Sequence, residues 1–411
     1  LLNNSNEYTE VIQDIELNTF YTNNSLGFTK RWKQFSFSPK VGFQFEKQNL
    51  ESAILTSENT IKNFQNNLDW LRTKFYFNLQ TQYKKEKLRL ELKTPINFYN
   101  YQLEDKPLQR NQNLNQLTFE PKLSLYYDVT NFWRIASSIS LSNQFGSINQ
   151  VYYNYILLNY RNIQRIDAPL PENQNISYST FIGYRNPINA LFLNLTYSNT
   201  TTNNNLLYNT QILNNGAIEF QAIEQDNKRQ SHNFSTKASK YISTINTNIT
   251  INTNYSLQYF QQILNSETTD ISNHNWGFNG KVDIDITDWL NTELTSTFQF
   301  SNNQIQEQKN QTITQQFYKF NINIYPKENQ YLSLKTEFIK NNLFSENTKN
   351  LFADLLYRYT WSKKNIDFEV QWNNIFNTEN YRTVNINNFS YLESNFILRP
   401  TQVLFKVRFS L

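Results

Sequence analysis

The sequence predicts an all-β fold, a transmembrane up-and-down antiparallel β-barrel with about 17 strands in this chain, and three observations predict it. Apolar and polar residues alternate strictly in segments of roughly 9 to 13 residues. The connections between those segments alternate between short turns and long stretches. No uninterrupted apolar run exceeds about four residues, whereas a membrane-crossing helix needs roughly 20.

The last segment shows the pattern most plainly. In Thr401–Leu411 the residues Val403, Phe405, Val407, Phe409 and Leu411 are apolar, and Gln402, Lys406, Arg408 and Ser410 between them are polar. Successive side chains of a strand point to opposite faces, so this segment has one face for an apolar medium and one for water. The same reading applies from the amino end. An opening pair flanks Gly27 to Lys33, and Phe35, Phe37, Val41, Phe43 and Phe45 form an apolar row against Ser36, Ser38, Lys40, Gln44 and Glu46. Leu71, Phe75, Phe77 and Leu79 lead to a turn at Lys84 to Lys87, and Leu88, Leu90 and Leu92 lead out. Leu117 to Tyr127 and Trp133 to Leu141 flank a turn at Asp128 to Asn131, and Ile176 to Tyr184 and Leu191 to Tyr197 flank one at Arg185 to Asn189.

The longest alternation runs from Ile245 to Tyr259, after a weaker strand around His232 to Tyr241. Three further hairpins pair Val282–Ile286 with Leu290–Phe300, Tyr318–Ile324 with Leu332–Phe338, and Leu351–Tyr359 with Ile366–Trp372. The long connections fall near 47–68, 99–115, 146–173, 200–227, 261–274, 302–311, 340–349 and 377–398, all at one end. Short turns at one end and longer loops at the other are the pattern of outer-membrane barrels, whose strands must close because lipid offers backbone groups no partner. Trp32, Trp133, Trp289 and Trp361 flank proposed short turns, as an interfacial aromatic girdle requires.

Composition narrows the function classes. With 32 Phe and 26 Tyr the chain is too aromatic to stay disordered, and a mean hydropathy of −0.66 says little because alternation averages an apolar face away. A net charge of +4 from 38 basic and 34 acidic residues gives no footprint for nucleic acid. There is no Cys, hence no disulfide frame or thiolate site, and no Gly-rich phosphate loop or nucleophile motif, so no enzyme activity is expected. The lack of Met and of a leader pattern at the start implies that the chain begins inside a longer or processed product.

Several segments carry a family resemblance. NNIFNTENY (Asn373 to Tyr381) followed by LRPTQVLFKVRFSL (Leu398 to Leu411) resembles the carboxy-terminal end of TonB-dependent receptors of the Bacteroidetes type. DAPLPENQ (Asp167 to Gln174), YRNPINALF (Tyr184 to Phe192) and PKENQYLSL (Pro326 to Leu334) look like the same group. The resemblance implies a barrel of about 22 strands, a lumen filled by an amino-terminal plug, and a TonB box that touches the inner-membrane energy complex. It implies a location in the cell outer membrane of a Gram-negative bacterium, contact with outer-membrane lipid, and energy-coupled uptake of a glycan, peptide or metal chelate. The chain departs from the family in ending at Leu411 rather than at an aromatic residue, a role Phe409 can take, and in lacking the plug, the TonB box and about five strands. Residues 1–411 are then the carboxy-terminal portion of the barrel. Two alternatives stay open: a passive porin-like channel, and a non-transporting barrel that scaffolds surface lipoproteins or an export complex.

Two groups of residues are candidate sites. In the 146–173 connection, Tyr152, Tyr153, Tyr155 and Tyr160 interleave with Arg161 and Arg165, a mixture of aromatic faces and guanidinium donors suited to a substrate or partner surface. In the hairpin around Asp288, Asp283 faces Glu293 with Asp285 on the same polar face. Facing like charges are costly, and a calcium or magnesium ion on these oxygens would offset the cost, as would plain solvation beside Lys281. Opposite charges face each other at Lys319 and Glu337 and at Arg358 and Glu369. His232 and His274 lack the spacing of metal ligands.

Overall fold

The computed structural model describes residues 11–56, 64–159, 162–212, 218–264, 267–305, 308–309, 312–342, 348–386 and 391–409. The chain runs through successive antiparallel hairpins. β1 (Val11–Gly27), with its short continuation β2 (Lys30–Trp32), pairs with β3 (Phe35–Thr56), then β3 with β4 (Asn66–Lys85) and β4 with β5 (Leu88–Asp105). The next stave is broken at Pro121, which has no N–H for the ladder, into β6 (Arg110–Phe119) and β7 (Lys122–Asp128). Both halves pair with β5, but only β7 pairs with β8 (Trp133–Gln144), so β6 and β8 part company toward the long-connection end.

The 145–172 connection contains β9 (Ile156–Asn159) and β10 (Asn162–Arg165). The staves resume with β11 (Asn173–Asn186), which pairs back onto β8, and continue through β12 (Leu191–Ile212), β13 (Ile218–Ile242), β14 (Thr247–Leu264), β15 (Glu267–Thr287) and β16 (Leu290–Ile305). After the two-residue β17 (Gln308–Lys309) come β18 (Ile313–Lys327), β19 (Gln330–Asn341), β20 (Thr348–Trp361) and β21 (Ile366–Asn373). β22 (Asn380–Ile386) and β23 (Tyr391–Ile397) form a separate hairpin, and β24 (Gln402–Phe409) pairs with β21.

With β2 joined to β1, β7 to β6, and the short connection strands set aside, the wall has 17 staves in strict up-and-down order, as the alternation predicts. Among the described residues its two edges, β1 and β24, each have a ladder partner on one side only. The turns differ between ends as expected, with residues 86–87, 288–289 and 328–329 sufficing at the short end. The long end is corrected in one respect: much of the predicted loop is strand. β12 and β13 stay paired from Leu191↔Lys240 to Ile212↔Ile218, crossing a bulge at Asn204/Leu206. Asn- and Thr-rich segments lack an apolar face there, but in water a ladder needs only its backbone bonds, so pairing outlasts the amphipathic pattern.

The two faces of the wall are inverted relative to a soluble protein. Phe405 is 65% exposed and Ile251 41%, while Glu369 on the opposite face is 4% exposed. Cross-strand neighbours join the outward residues into rows, for example Phe43↔Phe75↔Phe98↔Leu117 and Phe234↔Tyr255↔Trp276↔Phe300. An apolar belt of this extent is far larger than a soluble monomer exposes. Ten residues separate Leu290 from Phe300 along β16. At about 3.3 Å per residue and the 35–45° tilt usual for such barrels, that is a height of about 25 Å, the depth of hydrocarbon a barrel must cross.

Aromatic residues mark both rims of the belt. At the short-turn end Trp32, Trp133, Trp289 and Trp361 are all exposed, with Trp133 against Tyr184 at 4.8 Å. At the other rim Tyr197 packs on Phe234 at 4.5 Å and Trp276 stacks on Phe300 at 5.2 Å. His232 and His274, outward on the same strands, meet Tyr197 Oη and Tyr255 Oη through Nδ1, each at 3.0 Å. Leu411 lies outside the described residues.

Candidate functional site

The inner face carries the features a passage would use, and at the long-connection end it changes character. Along β4 the inward residues run from Tyr76, Lys74 and Arg72 to Trp70 and Leu68, and along β5 from Asn97 to Tyr99, Tyr101 and Leu103. Trp70 and Leu68 are fully buried and Leu103 is nearly so. What buries them is the 145–172 connection, which folds onto the inner face and places Phe145, Ile148, Val151, Tyr152, Tyr153, Ile156, Ile166 and Leu170 in one cluster with them, Leu50 and Leu114.

Hydrogen bonds fix this connection at four places around the wall. The Gln13 carboxamide of β1 donates to the Leu157 carbonyl and accepts from the Leu157 N–H, both at 2.8 Å. Asn66 at the start of β4 accepts from the Asn154 N–H at 2.9 Å. On β6, Gln112 donates to the Ala168 carbonyl at 3.0 Å and Arg110 pairs with Asp167. On the far side Asn205 of β12 donates to the Leu170 carbonyl at 2.9 Å and accepts from the Glu172 N–H at 2.7 Å, while β10 lies parallel to β13 over Asn162–Arg165. The connection therefore spans from the first stave to the ninth and fills the space where β6 and β8 separate.

The candidate aromatic residues are distributed unequally. Tyr152 and Tyr153 are 3% and 1% exposed, so their rings contact protein rather than solvent. Burial raises the pKa of both phenols. Tyr155 is half-buried against Phe64 and donates to Glu219 Oε1 at 2.7 Å. Arg165 donates from Nε to the Tyr153 carbonyl at 3.1 Å, pairs with Asp167 and lies over the Tyr155 ring. Tyr160 and Arg161 lie outside the described residues. Tyr153, Tyr155 and Arg165 thus form one locally bonded unit, while the Tyr152 carbonyl accepts from the Ile166 N–H at 3.1 Å.

The carboxylates of the β15–β16 hairpin stand in the expected register, Asp283 opposite Glu293. The Lys281 ammonium lies between them, 3.1 Å from Asp283 Oδ1 and 2.9 Å from Glu293 Oε2, and supplies the positive charge at that point. Asp285 instead accepts from Asn291 at 2.7 Å. Among the described residues no three His, Asp or Glu side chains converge as a metal would require. Lys319 and Glu337 pair at 3.5 Å as their register predicts. Arg358 and Glu369 are register neighbours, but Glu369 turns to Lys406 and Arg408, both at 3.3 Å, while Arg358 lies over the Tyr331 ring. The inward apolar residues Trp70, Tyr99, Tyr101 and Leu103 were not singled out by sequence reasoning. A partial signal exists: Ile96 and Phe98 of one alternating set are apolar, and Tyr99, Tyr101 and Leu103 of the other are aromatic or apolar too, as in a strand covered on both faces.

No family model matches the chain, and no curated protein does. Among solved structures it is similar to the FrpB iron transporter from Neisseria meningitidis, at 9% identity and a TM-score of 0.36, with 97% of this chain and 81% of that one covered. It is similar also to the ferripyoverdine receptor of Pseudomonas aeruginosa, at 9% identity and a TM-score of 0.35 over 97% of this chain and 71% of that one. A third is OmpT, an outer membrane protein of Vibrio cholerae, at 6% identity and a TM-score of 0.27 over 82% and 89%. Likenesses this distant carry no argument of their own; the sidedness of the wall does.

Proposed function

We propose that this chain is the greater part of the wall of an outer-membrane transporter barrel, with substrate entering at the long-connection end and a plug outside this sequence gating the lumen through the TonB complex. The observation that carries the reading is the inversion of the two faces: an exposed apolar belt about 25 Å high outside, and amides, hydroxyls and ion pairs inside. A wall with that polarity is stable only with hydrocarbon outside and water within. The TonB coupling and the plug rest on the family resemblance, supported by the width of the sheet, since a lumen of this size leaks unless filled.

Closure follows from strand direction. Seventeen alternating staves make β1 and β24 run the same way, so an all-antiparallel closure needs an odd number of further strands between them. Five would complete a barrel of about 22. The reading is tested by growth on iron chelates, glycans or peptides in strains lacking this gene, TonB or both. Loss of growth in each single deletion is the expected outcome, and growth independent of both overturns it. A passive channel is the second reading, favoured by the 145–172 connection, whose position on the inner face would narrow a lumen without a plug. Steady ohmic conductance of the full-length product in planar bilayers would select it.

A further inference from the structure

Along the first staves the charge of the wall changes sign between its two ends. At the long-connection end Glu16 stands opposite Glu51 and Asp69 opposite Glu104, all on the face that carries Phe20, Phe43, Phe75 and Phe98 lower down. At the short-turn end the same staves finish in KRWK (Lys30 to Lys33) and KKEK (Lys84 to Lys87), six cations and one carboxylate in two turns. These turns are neighbours, joined by the Lys84 N–H, which donates to the Gln34 carbonyl at 2.9 Å. All six cations are exposed, and among the described residues none has a carboxylate within ion-pairing distance.

The other short turns differ. Asp128 pairs with Arg134 at 2.7 Å, Lys327 is followed by Glu328, and the turn at Asp288 is acidic. Arg185 is alone in its turn, and only Lys363 and Lys364 repeat a pair of cations. The concentration on β2 to β5 is also directed. Lys30 is the ladder partner of Phe37 and Lys85 that of Leu88, so both stand on the lipid-facing side. Lys33 Nζ lies 5.8 Å from the centre of the Trp32 ring, which stacks on Phe35 at 6.5 Å, and Phe35 meets Tyr83 of β4 at 5.0 Å. Lys87 reaches across to the Val129 carbonyl of the next turn at 3.3 Å. A belt of Trp and Tyr marks the headgroup level of a bilayer, and lysine stems run along apolar surface while their ammonium groups stay among the headgroups.

We infer that the β2–β5 rim binds the phosphate groups of anionic phospholipid in the leaflet that the short turns reach. Sign and place together carry the assignment. Cations crowded without counter-ions repel one another, and an anionic headgroup layer at the height of Trp32 relieves that repulsion. An acidic protein would suit the charge but not the place, because lipid fills the space in front of Lys30 and Lys85. The inference rests on the membrane placement of the barrel and not on transport.

The test uses the full-length protein reconstituted into vesicles of equimolar phosphatidylethanolamine and phosphatidylglycerol, then released in mild detergent, with the retained lipids counted by native mass spectrometry. Expected is enrichment of phosphatidylglycerol by about tenfold over phosphatidylethanolamine, falling toward parity at about 1 M salt. Lys30→Gln/Lys33→Gln/Lys85→Gln/Lys87→Gln should abolish the enrichment, and Lys363→Gln/Lys364→Gln should leave most of it. Equal retention of both lipids by the parent protein overturns the inference, and polyglutamate bound through the same four lysines would then assign the patch to an acidic protein. Undiminished enrichment in the fourfold variant, with heat-modifiable barrel mobility intact, overturns the site. Enrichment in the parent that salt does not reduce overturns its electrostatic basis, a result that needs no variant to fold. Displacement of the lipid by inorganic phosphate overturns the lipid source. Heat-modifiable mobility after reconstitution, and growth with its TonB dependence, report on the barrel and the transporter readings separately, and the fourfold substitution should leave both unchanged.

Discussion

Two arcs of the same wall finish their inner faces differently. Between β3 and β6 the inward residues at the long-connection end are Leu50, Leu68, Trp70, Tyr101, Leu103 and Leu114, all buried beneath the 145–172 connection. Between β14 and β18 the inward residues at mid-height are Asn252, Asn279, Thr297, Lys281, Glu293 and Asn321, linked across strands by side-chain bonds such as Asn279 to Thr297 at 2.8 Å and Asn321 to Glu293 at 3.2 Å. The backbone ladder is equally regular in both. The difference teaches that the inner face is apolar only where protein covers it. In the covered arc packing holds the connection; in the open arc water does most of the solvating, and each polar pair contributes little.

The largest expected effect follows directly. Tyr153→Ala removes a fully buried ring from the covered arc and should cost roughly 3–5 kcal/mol of local stability, whereas Asn279→Ala in the open arc should cost about 1 kcal/mol or less. Limited proteolysis within 145–172, together with thermal unfolding in detergent, measures both. Equal losses would break the comparison.

Acidity sharpens it. Asp105 is fully buried at the end of β5, where Oδ1 accepts from the Leu108 N–H, and burial raises its pKa; burial raises that of Glu172 also. A raised folded-state pKa means that the folded protein binds more protons than the unfolded one once pH exceeds the ordinary carboxylate value of about 4. The connection is therefore least favoured at neutral pH and gains stability as pH falls through the raised values toward about 4. Asp69 works in the opposite sense, since hydrogen bonding to Lys106 lowers its pKa, and that contribution disappears only below about 4. Proteolytic resistance of 145–172 should rise as pH falls from 7 toward about 4 in the parent protein, and Asp105→Asn/Glu172→Gln should flatten that rise while increasing resistance at pH 7. An unchanged slope would mean that the carboxyl groups are not buried by the connection.

How much of this was legible in the sequence depends on which face is asked about. Outward rows such as Val403, Phe405 and Val407 are legible because lipid imposes a strict period of two, and the register that follows places Asp283 opposite Glu293 and Lys319 opposite Glu337 without further information. The strands past Asn199 are poorly legible, because Thr200 to Asn205 have no apolar member to mark a face although Thr200 to Asn204 stay in the β12–β13 ladder. The docking of Tyr153 depends on Trp70, Tyr101 and Leu114, residues from three strands that only the ladder brings together. Only the run Tyr99, Tyr101 and Leu103, aromatic or apolar on the face that is polar in the open arc, hints at it.

The smallest effect tests the open arc at its most charged point. Lys281 sits between Asp283 and Glu293, which face each other across the β15–β16 ladder. Lys281→Met keeps the length of the side chain and removes the ammonium, leaving two carboxylates opposed. In a dry interior that loss would be severe, since each charge would lack a counter-ion. Here the three side chains are 28–39% exposed, so water and salt screen the repulsion and the expected cost is about 0.5–1 kcal/mol, shrinking further at high ionic strength. Thermal unfolding in low and high salt separates the cases. A cost of several kcal/mol that salt does not relieve would place this arc in the same dry environment as the one beneath Tyr153, and the contrast between the two arcs would collapse. A stabilisation by added calcium appearing only in Lys281→Met would instead identify the Asp283–Glu293 pair as cation-accepting oxygens that lysine occupies in the native sequence.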